Sequence, residues 1–147
     1  ITSFPVASTS PTAHHWQIPN PPRASHVHSG DSVEALNDGV MPSASNDQSI
    51  PRFTWWDHRG TTEWVEYQYL PARRISKAAV YWFDDTGRGQ CRVPKSWRLL
   101  VKEGEAWREL ATGSLPGIGL DQMNRVEFPA TTTTAITPEP CASSASQ

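Results

Sequence analysis

Polar and apolar residues alternate with a period of two along several stretches of this chain. From Glu63 to Tyr69, Val65, Tyr67 and Tyr69 fall on one face and Trp64, Glu66 and Gln68 on the other. Ile75 to Phe83 repeats the pattern with Ala78, Val80 and Trp82 on one side. Ser96 to Lys102 sets Trp97, Leu99 and Val101 against Arg98, Leu100 and Lys102, and a Glu103-Gly104-Glu105 turn leads into Trp107-Arg108-Glu109-Leu110. A last alternating run covers Met123 to Phe128. Short strands separated by turn clusters predict an all-β sandwich, and no internal repeat is visible. Asp31 to Gly39 predicts one helical turn, with Asp31 as N-cap and Asn37-Asp38-Gly39 closing it. Residues 41–53 read as a long polar loop.

The ends differ from this middle. Residues 1–23 hold Pro5, Pro11, Pro19, Pro21 and Pro22 among Ser and Thr, which predicts an extended linker. The globular part is expected over 24–136, with 137–147 as a low-complexity tail. Ala135-Ile136 has strand character, but Pro138 and Pro140 lack ladder donors. At 147 residues the chain is long enough for one domain with a real core. Seven Trp, thirteen Pro and nine Gly again favour strands and turns over helices. A net charge of −2 with scattered Lys and Arg gives no basic stripe for nucleic acid. No apolar run approaches the roughly 18 residues of a membrane span. The chain opens at Ile1 without a charged-then-apolar leader, the expectation for a processed or excised piece. Cys91 and Cys141 are either a bridge from the mid-chain loop to the tail or two free thiols; spacing does not decide.

The candidate chemistry lies between Ile50 and Trp97. Phe83-Asp84-Asp85-Thr86-Gly87-Arg88-Gly89 puts two carboxylates and a guanidinium on a glycine-bearing loop after an aromatic strand end. Upstream, Phe53-Thr54-Trp55-Trp56-Asp57-His58 forms a second aromatic group in a loop-like segment. Indole faces beside planar charged groups suit a sugar ring: stacking covers its C–H face, and Asp, Arg and His bond its hydroxyls. Adjacent Trp55 and Trp56 point opposite ways if extended, and Trp56, leading into Asp57-His58-Arg59, is the better outward platform. Trp82 and Trp97 read as core, and Trp64 as structural. His58 is either a solvated loop residue or a partner for a hydroxyl. Asp85 with Arg88 is either a sugar-binding pair or a local salt bridge. At least one of Asp84 and Asp85 is expected to shape the Thr86-Gly87 turn. A glycosidase pair is disfavoured, because neighbouring turn carboxylates splay and Arg88 would hold one ionised. His26 and His28 share a face of an extended segment at a metal-compatible spacing, without a third ligand.

Beyond these local readings, the stretches Gly30 to Gly39, Ser45-Asn46-Asp47, Ile50 to Trp56, Gly60 to Val65, Val80 to Gly89 and Cys91 to Leu100 carry a resemblance. Together they are similar to the C-terminal accessory domain of bacterial β-L-arabinofuranosidase-like glycoside hydrolases. That domain belongs to the galactose-binding-like, discoidin (coagulation factor 5/8 type C) group. The resemblance runs from about Ala24 to Phe128. It implies a β-sandwich jelly roll, no catalysis of its own, and glycan binding by loops at one end. It also implies a structural calcium at the Asn37-Asp38-Gly39 turn, held by Asp38 and by backbone carbonyls such as that of Val40. Where such domains end in two strands, the last with a Glu calcium ligand, this chain has Pro138-Glu139-Pro140 and a Ser/Ala tail. Glu139 is the substitute carboxylate there.

The expected function is thus a non-catalytic carbohydrate-binding module holding a parent glycoside hydrolase on polysaccharide. Trp56, His58, Asp84, Asp85 and Arg88 are its candidate ligand-binding residues, and Asp38 and Val40 its candidate calcium site. The partners implied are a galactose- or arabinose-containing glycan and the catalytic domain of the parent, with no nucleic acid and no membrane span. The resemblance and substrate class imply a secreted or periplasmic location. Alternatives are a domain that only braces its parent, a discoidin-like protein- or lipid-headgroup module using Trp55-Trp56, and, last, an enzyme.

Overall fold

A computed structural model of the chain describes residues 21–141. The expected linker, with His14 and His15, lies almost wholly outside the described residues. The elements are β1 (Arg23–Ala24), a single 3-10 turn (Val33–Leu36), β2 (Val65–Tyr81), β3 (Ser96–Glu103), β4 (Ala106–Glu109) and β5 (Met123–Cys141). All strand pairs are antiparallel, in the order β1-β2-β5-β3-β4. The domain is all-β, as the alternation predicts.

Two expected strands are one. Glu63 to Tyr69 and Ile75 to Phe83 join as β2, which bends where its register with β5 shifts. Gln68 faces Ala135 and Arg73 faces Thr133, so Tyr69 to Ala72 stand against Thr134 alone. A second shift follows between Ile75 and Lys77, where β5 holds the surplus. Extra residues on one strand of a pair bend it and raise its twist. Here the two longest strands curl together, and the sheet closes over its own side chains.

The inward faces are those the period of two selects. Val65, Tyr67, Ala78, Val80, Trp82, Trp97, Leu99, Val101, Val126 and Ile136 form one buried cluster, joined from the loops by Ala35, Leu36 and Phe53. Trp82 and Trp97 meet edge to face at 5.8 Å. Both donate their indole N–H to the carbonyl of Gly117, at 3.2 and 2.7 Å. A buried indole needs such an acceptor, so the core tryptophans also fix the loop before β5. Tyr67 is fully buried, with its hydroxyl donating to Leu36 O at 3.3 Å.

Two expectations about the ends of elements are corrected. The N-cap is Ser32, not Asp31: Ser32 Oγ accepts the Glu34 N–H, while the Asp31 carboxylate is turned inward to Thr54 and Arg52. The chain also does not lapse into a tail at residue 137, because β5 runs to Cys141 with Leu99 opposite Pro138 and Trp97 opposite Pro140. Leu99 O accepts the Leu110 N–H at 2.8 Å, so Leu99 turns its backbone polar groups toward β4 and away from β5. Leu99↔Pro138 and Trp97↔Pro140 are therefore the non-hydrogen-bonded pairs of an antiparallel ladder. The N–H groups the prolines lack would point toward β2, whose pairing with β5 stops at Tyr67↔Ile136. The prolines sit where no donor is needed.

Candidate functional site

Curling of β2 brings the loops at its two ends together. Asp84 N–H donates to Ser45 O at 3.0 Å, and Ser45 N–H donates to Asp121 Oδ1 at 2.7 Å. The Arg52 guanidinium lies over the Phe83 ring at 5.2 Å, and Arg59 Nη2 donates to the Gln90 side-chain oxygen. The segments 25–32, 45–63, 83–93 and 117–121 thus form one loop end.

Trp55 and Trp56 divide as alternation requires. Trp55 packs on the core, edge-on to Phe53 at 5.0 Å. Trp56 is half-buried at the loop end, with the Arg59 guanidinium over its ring at 4.7 Å. Beside it, His58 stacks on His26 with ring centroids 3.8 Å apart and planes 14° from parallel. His26 Nε2 lies 2.9 Å from Trp56 O, and a carbonyl only accepts, so that nitrogen carries the proton. His26 is thus a brace between Trp56 and His58.

Glu63 anchors this group. Its carboxylate is buried and accepts from the Ser25 and Thr61 hydroxyls and from His58 Nδ1, the last at 2.7 Å. Burial pushes the Glu63 pKa up, but those three hydrogen bonds and the His58 charge outweigh it, and the net shift is downward. An ionised Glu63 only accepts, so His58 Nδ1 carries a proton, and Nε2 has no hydrogen-bond partner among the described residues. Glu63, His26, Arg59 and Gln90 were not among the expected binding residues. Several of their partners lie far along the chain; the local signals are Thr61-Thr62-Glu63 beside His58 and Arg59 three residues after Trp56.

Asp84 and Asp85 serve their own loop. Asp84 Oδ1 accepts from both Thr86 N–H, at 2.9 Å, and the Thr86 hydroxyl, and Oδ2 accepts the Val93 N–H at 3.2 Å. Burial pushes the Asp84 pKa up, yet these bonds and Arg92 bring the net shift below the usual range. Asp85 Oδ1 accepts the Cys91 N–H at 2.8 Å, and Arg92 stands 3.6 Å away. The expected Asp85–Arg88 side-chain pair does not form, although Asp85 O accepts the Arg88 N–H. Arg88 itself is exposed. The same loop carries Cys91, which, like Cys141, is a free thiol.

The expected calcium corner is an Asx turn: Asp38 Oδ1 accepts the Val40 N–H at 2.8 Å, Gly39 takes φ 76°, and both Asp38 and Val40 are exposed. Glu139 is held on β5 by Arg98, whose Nε and Nη2 donate to one oxygen at 2.8 and 2.5 Å. Among the described residues, no three His, Cys, Asp or Glu side chains gather as metal ligands. One carboxylate already engaged in its own turn fits poorly with the roughly six to eight oxygens calcium takes.

No helix among the described residues is long and apolar enough to cross a membrane. No family model matches the chain, and no curated protein matches it. Among solved structures it is similar to a chain of the architecturally intricate β-galactosidase BgaA of Streptococcus pneumoniae, which has multiple functions. The TM-score is 0.67 at 19% identity, over 84% of this chain and 83% of that one. It is also similar to CpGH89CBM32-5 from Clostridium perfringens, solved in complex with GalNAc-β-1,3-galactose, with a TM-score of 0.57 at 14% identity over 84% and 85%. At these identities the likeness establishes a shared fold.

Proposed function

We propose that this chain is a non-catalytic carbohydrate-binding module of the galactose-binding-like jelly-roll type, attached to a glycoside hydrolase. The observation that carries the reading is the loop end itself, where a half-buried indole stands beside a histidine fixed in plane by His26 and Glu63. The fold shared with a module seen holding GalNAc-β-1,3-galactose supports it. In this reading Trp56 stacks on a sugar ring beside Arg59. His58 Nε2 and Arg88 bond the ring's polar groups, while Asp84 and Asp85 position the loop bearing Arg88. The non-catalytic assignment rests on those two carboxylates: both accept hydrogen bonds from their own loop, and Asp84 is held ionised rather than poised as an acid.

Galactose- and arabinose-bearing polymers are the first ligands to try, and a polymeric substrate implies a secreted or periplasmic module. Binding is proposed to survive chelation, given the donor set at Asp38 and Val40. Affinity electrophoresis of the full chain tests the reading. Trp56→Ala is expected to weaken binding at least about tenfold, or ~1.4 kcal/mol, with the melting temperature unchanged. Loss of the fold in that variant would make Trp56 part of the core, and unaltered binding would place the site elsewhere. Silence of the folded chain across all sugars would leave a domain that braces its parent.

A further inference from the structure

The loop end holds seven carboxylates and four guanidiniums, and the two kinds of charge are engaged differently. Its carboxylates are largely consumed within: Glu63 by Ser25, Thr61 and His58, Asp84 by Thr86 and Val93, Asp85 by Cys91, and Asp31 by Thr54 with Arg52 at 3.2 Å. Two guanidiniums are not consumed in this way. Arg59 lies across Trp56 and gives one nitrogen to the neutral amide of Gln90. Arg88, exposed on the turn that leads to Gln90, makes no side-chain hydrogen bond or ion pair among the described residues. Arg92 is different, since its Nη1 donates to Gly89 O and Cys91 O and stands 3.6 Å from the Asp85 carboxylate. Asp57 is an exposed carboxylate next to Trp56, and it pairs with neither Arg59 nor Arg88.

A guanidinium only donates, through five N–H groups in a fixed fork. A sugar hydroxyl both donates and accepts, so a neutral glycan is read best by mixed carboxylate and amide surfaces. Here the outward groups, Asp57 apart, are unspent donors carrying positive charge, against an aromatic ring. Their complement is a group that only accepts and is negative, which a planar fork binds in two-point fashion.

Building on the glycan-binding reading, we propose that the glycan recognised here is anionic. Its ring stacks on Trp56, and its carboxylate or sulfate ester is bound by Arg59 and Arg88. The test is calorimetric titration of the full chain with two matched pairs: a uronic-acid polymer and its carboxyl-reduced form, and a sulfated galactan and its desulfated form. The charged member of one pair is expected to bind at least about tenfold more tightly than its neutral partner, with affinity falling as salt rises. Whichever pair shows the difference identifies carboxylate or sulfate. Arg59→Gln and Arg88→Gln are each expected to bring that affinity down toward the neutral value at unchanged melting temperature. Equal affinity for charged and neutral polymers, or affinity for neutral ones alone, would overturn the anionic assignment and leave glycan binding standing. No binding to any polymer by the folded chain would overturn both.

Discussion

A methyl group added at Gly89 would land on the Asp85 carboxylate, which is pinned by the Cys91 N–H and has little room to give. The loop bearing Arg88 is therefore built by close approach as well as by hydrogen bonds. Gly89→Ala is expected to lower the unfolding free energy by about 1–3 kcal/mol, the usual cost of overpacking, measured by urea titration. An unchanged midpoint would show that the carboxylate moves aside freely. At this scale the sequence was partly legible. At least one of Asp84 and Asp85 reads as a turn former from Asp-Asp-Thr-Gly alone, and Trp56 as the outward member of its pair. Glu63 did not, because what makes it central are Ser25 and His58, which reach it from different segments. Arg59 stacks on its near neighbour Trp56, but its tie to Gln90 crosses two loops.

Among the elements, β5 departs furthest from expectation. Proline inside a strand argues against a strand only if its missing N–H falls on a paired edge. Pro138 and Pro140 share a parity whose backbone faces away from β3, and that parity depends on the register of a partner strand. No local pattern reveals it. The C-terminal half of β5 then matters to the fold. It pairs with β3 from Val101↔Ile136 to Ser96↔Cys141, and Glu139 is clamped by Arg98. Truncation after Ile136 is expected to abolish cooperative thermal unfolding of the full chain, as followed by near-ultraviolet circular dichroism. A truncated chain with an unchanged melt would return residues 137–141 to the status of a tail. The strands themselves were readable, since a period of two selects the buried face wherever one face meets a core. Fusion of two predicted strands into β2 was not, because it arises from bulges against β5.

Across the whole molecule, two loop carboxylates tie folding to pH. Glu63 and Asp84 both have folded-state pKa values below their ordinary ones, so the unfolded chain takes up protons first as pH falls. Their contribution to stability is full above about pH 4 to 5, where the unfolded groups are ionised. It is lost as pH drops through the folded values. Melting temperature is expected to fall steeply on the acid side, and Glu63→Gln or Asp84→Asn to flatten that limb. An acid limb identical in both variants would show that neither carboxylate is linked to folding.

The loop end and the distant Trp107, exposed on β4, are rival aromatic platforms, and they can be told apart. The chain's tryptophans each give an indole N–H resonance, so a titration with acidic and neutral galactose-bearing oligosaccharides, followed by nuclear magnetic resonance, locates the ligand directly. The account predicts that the Trp56 indole and the Gln90 side-chain amide shift in saturable fashion, while Trp82, Trp97 and Trp107 stay in place. Shifts centred on Trp107, or none in a folded chain at millimolar sugar, would contradict it.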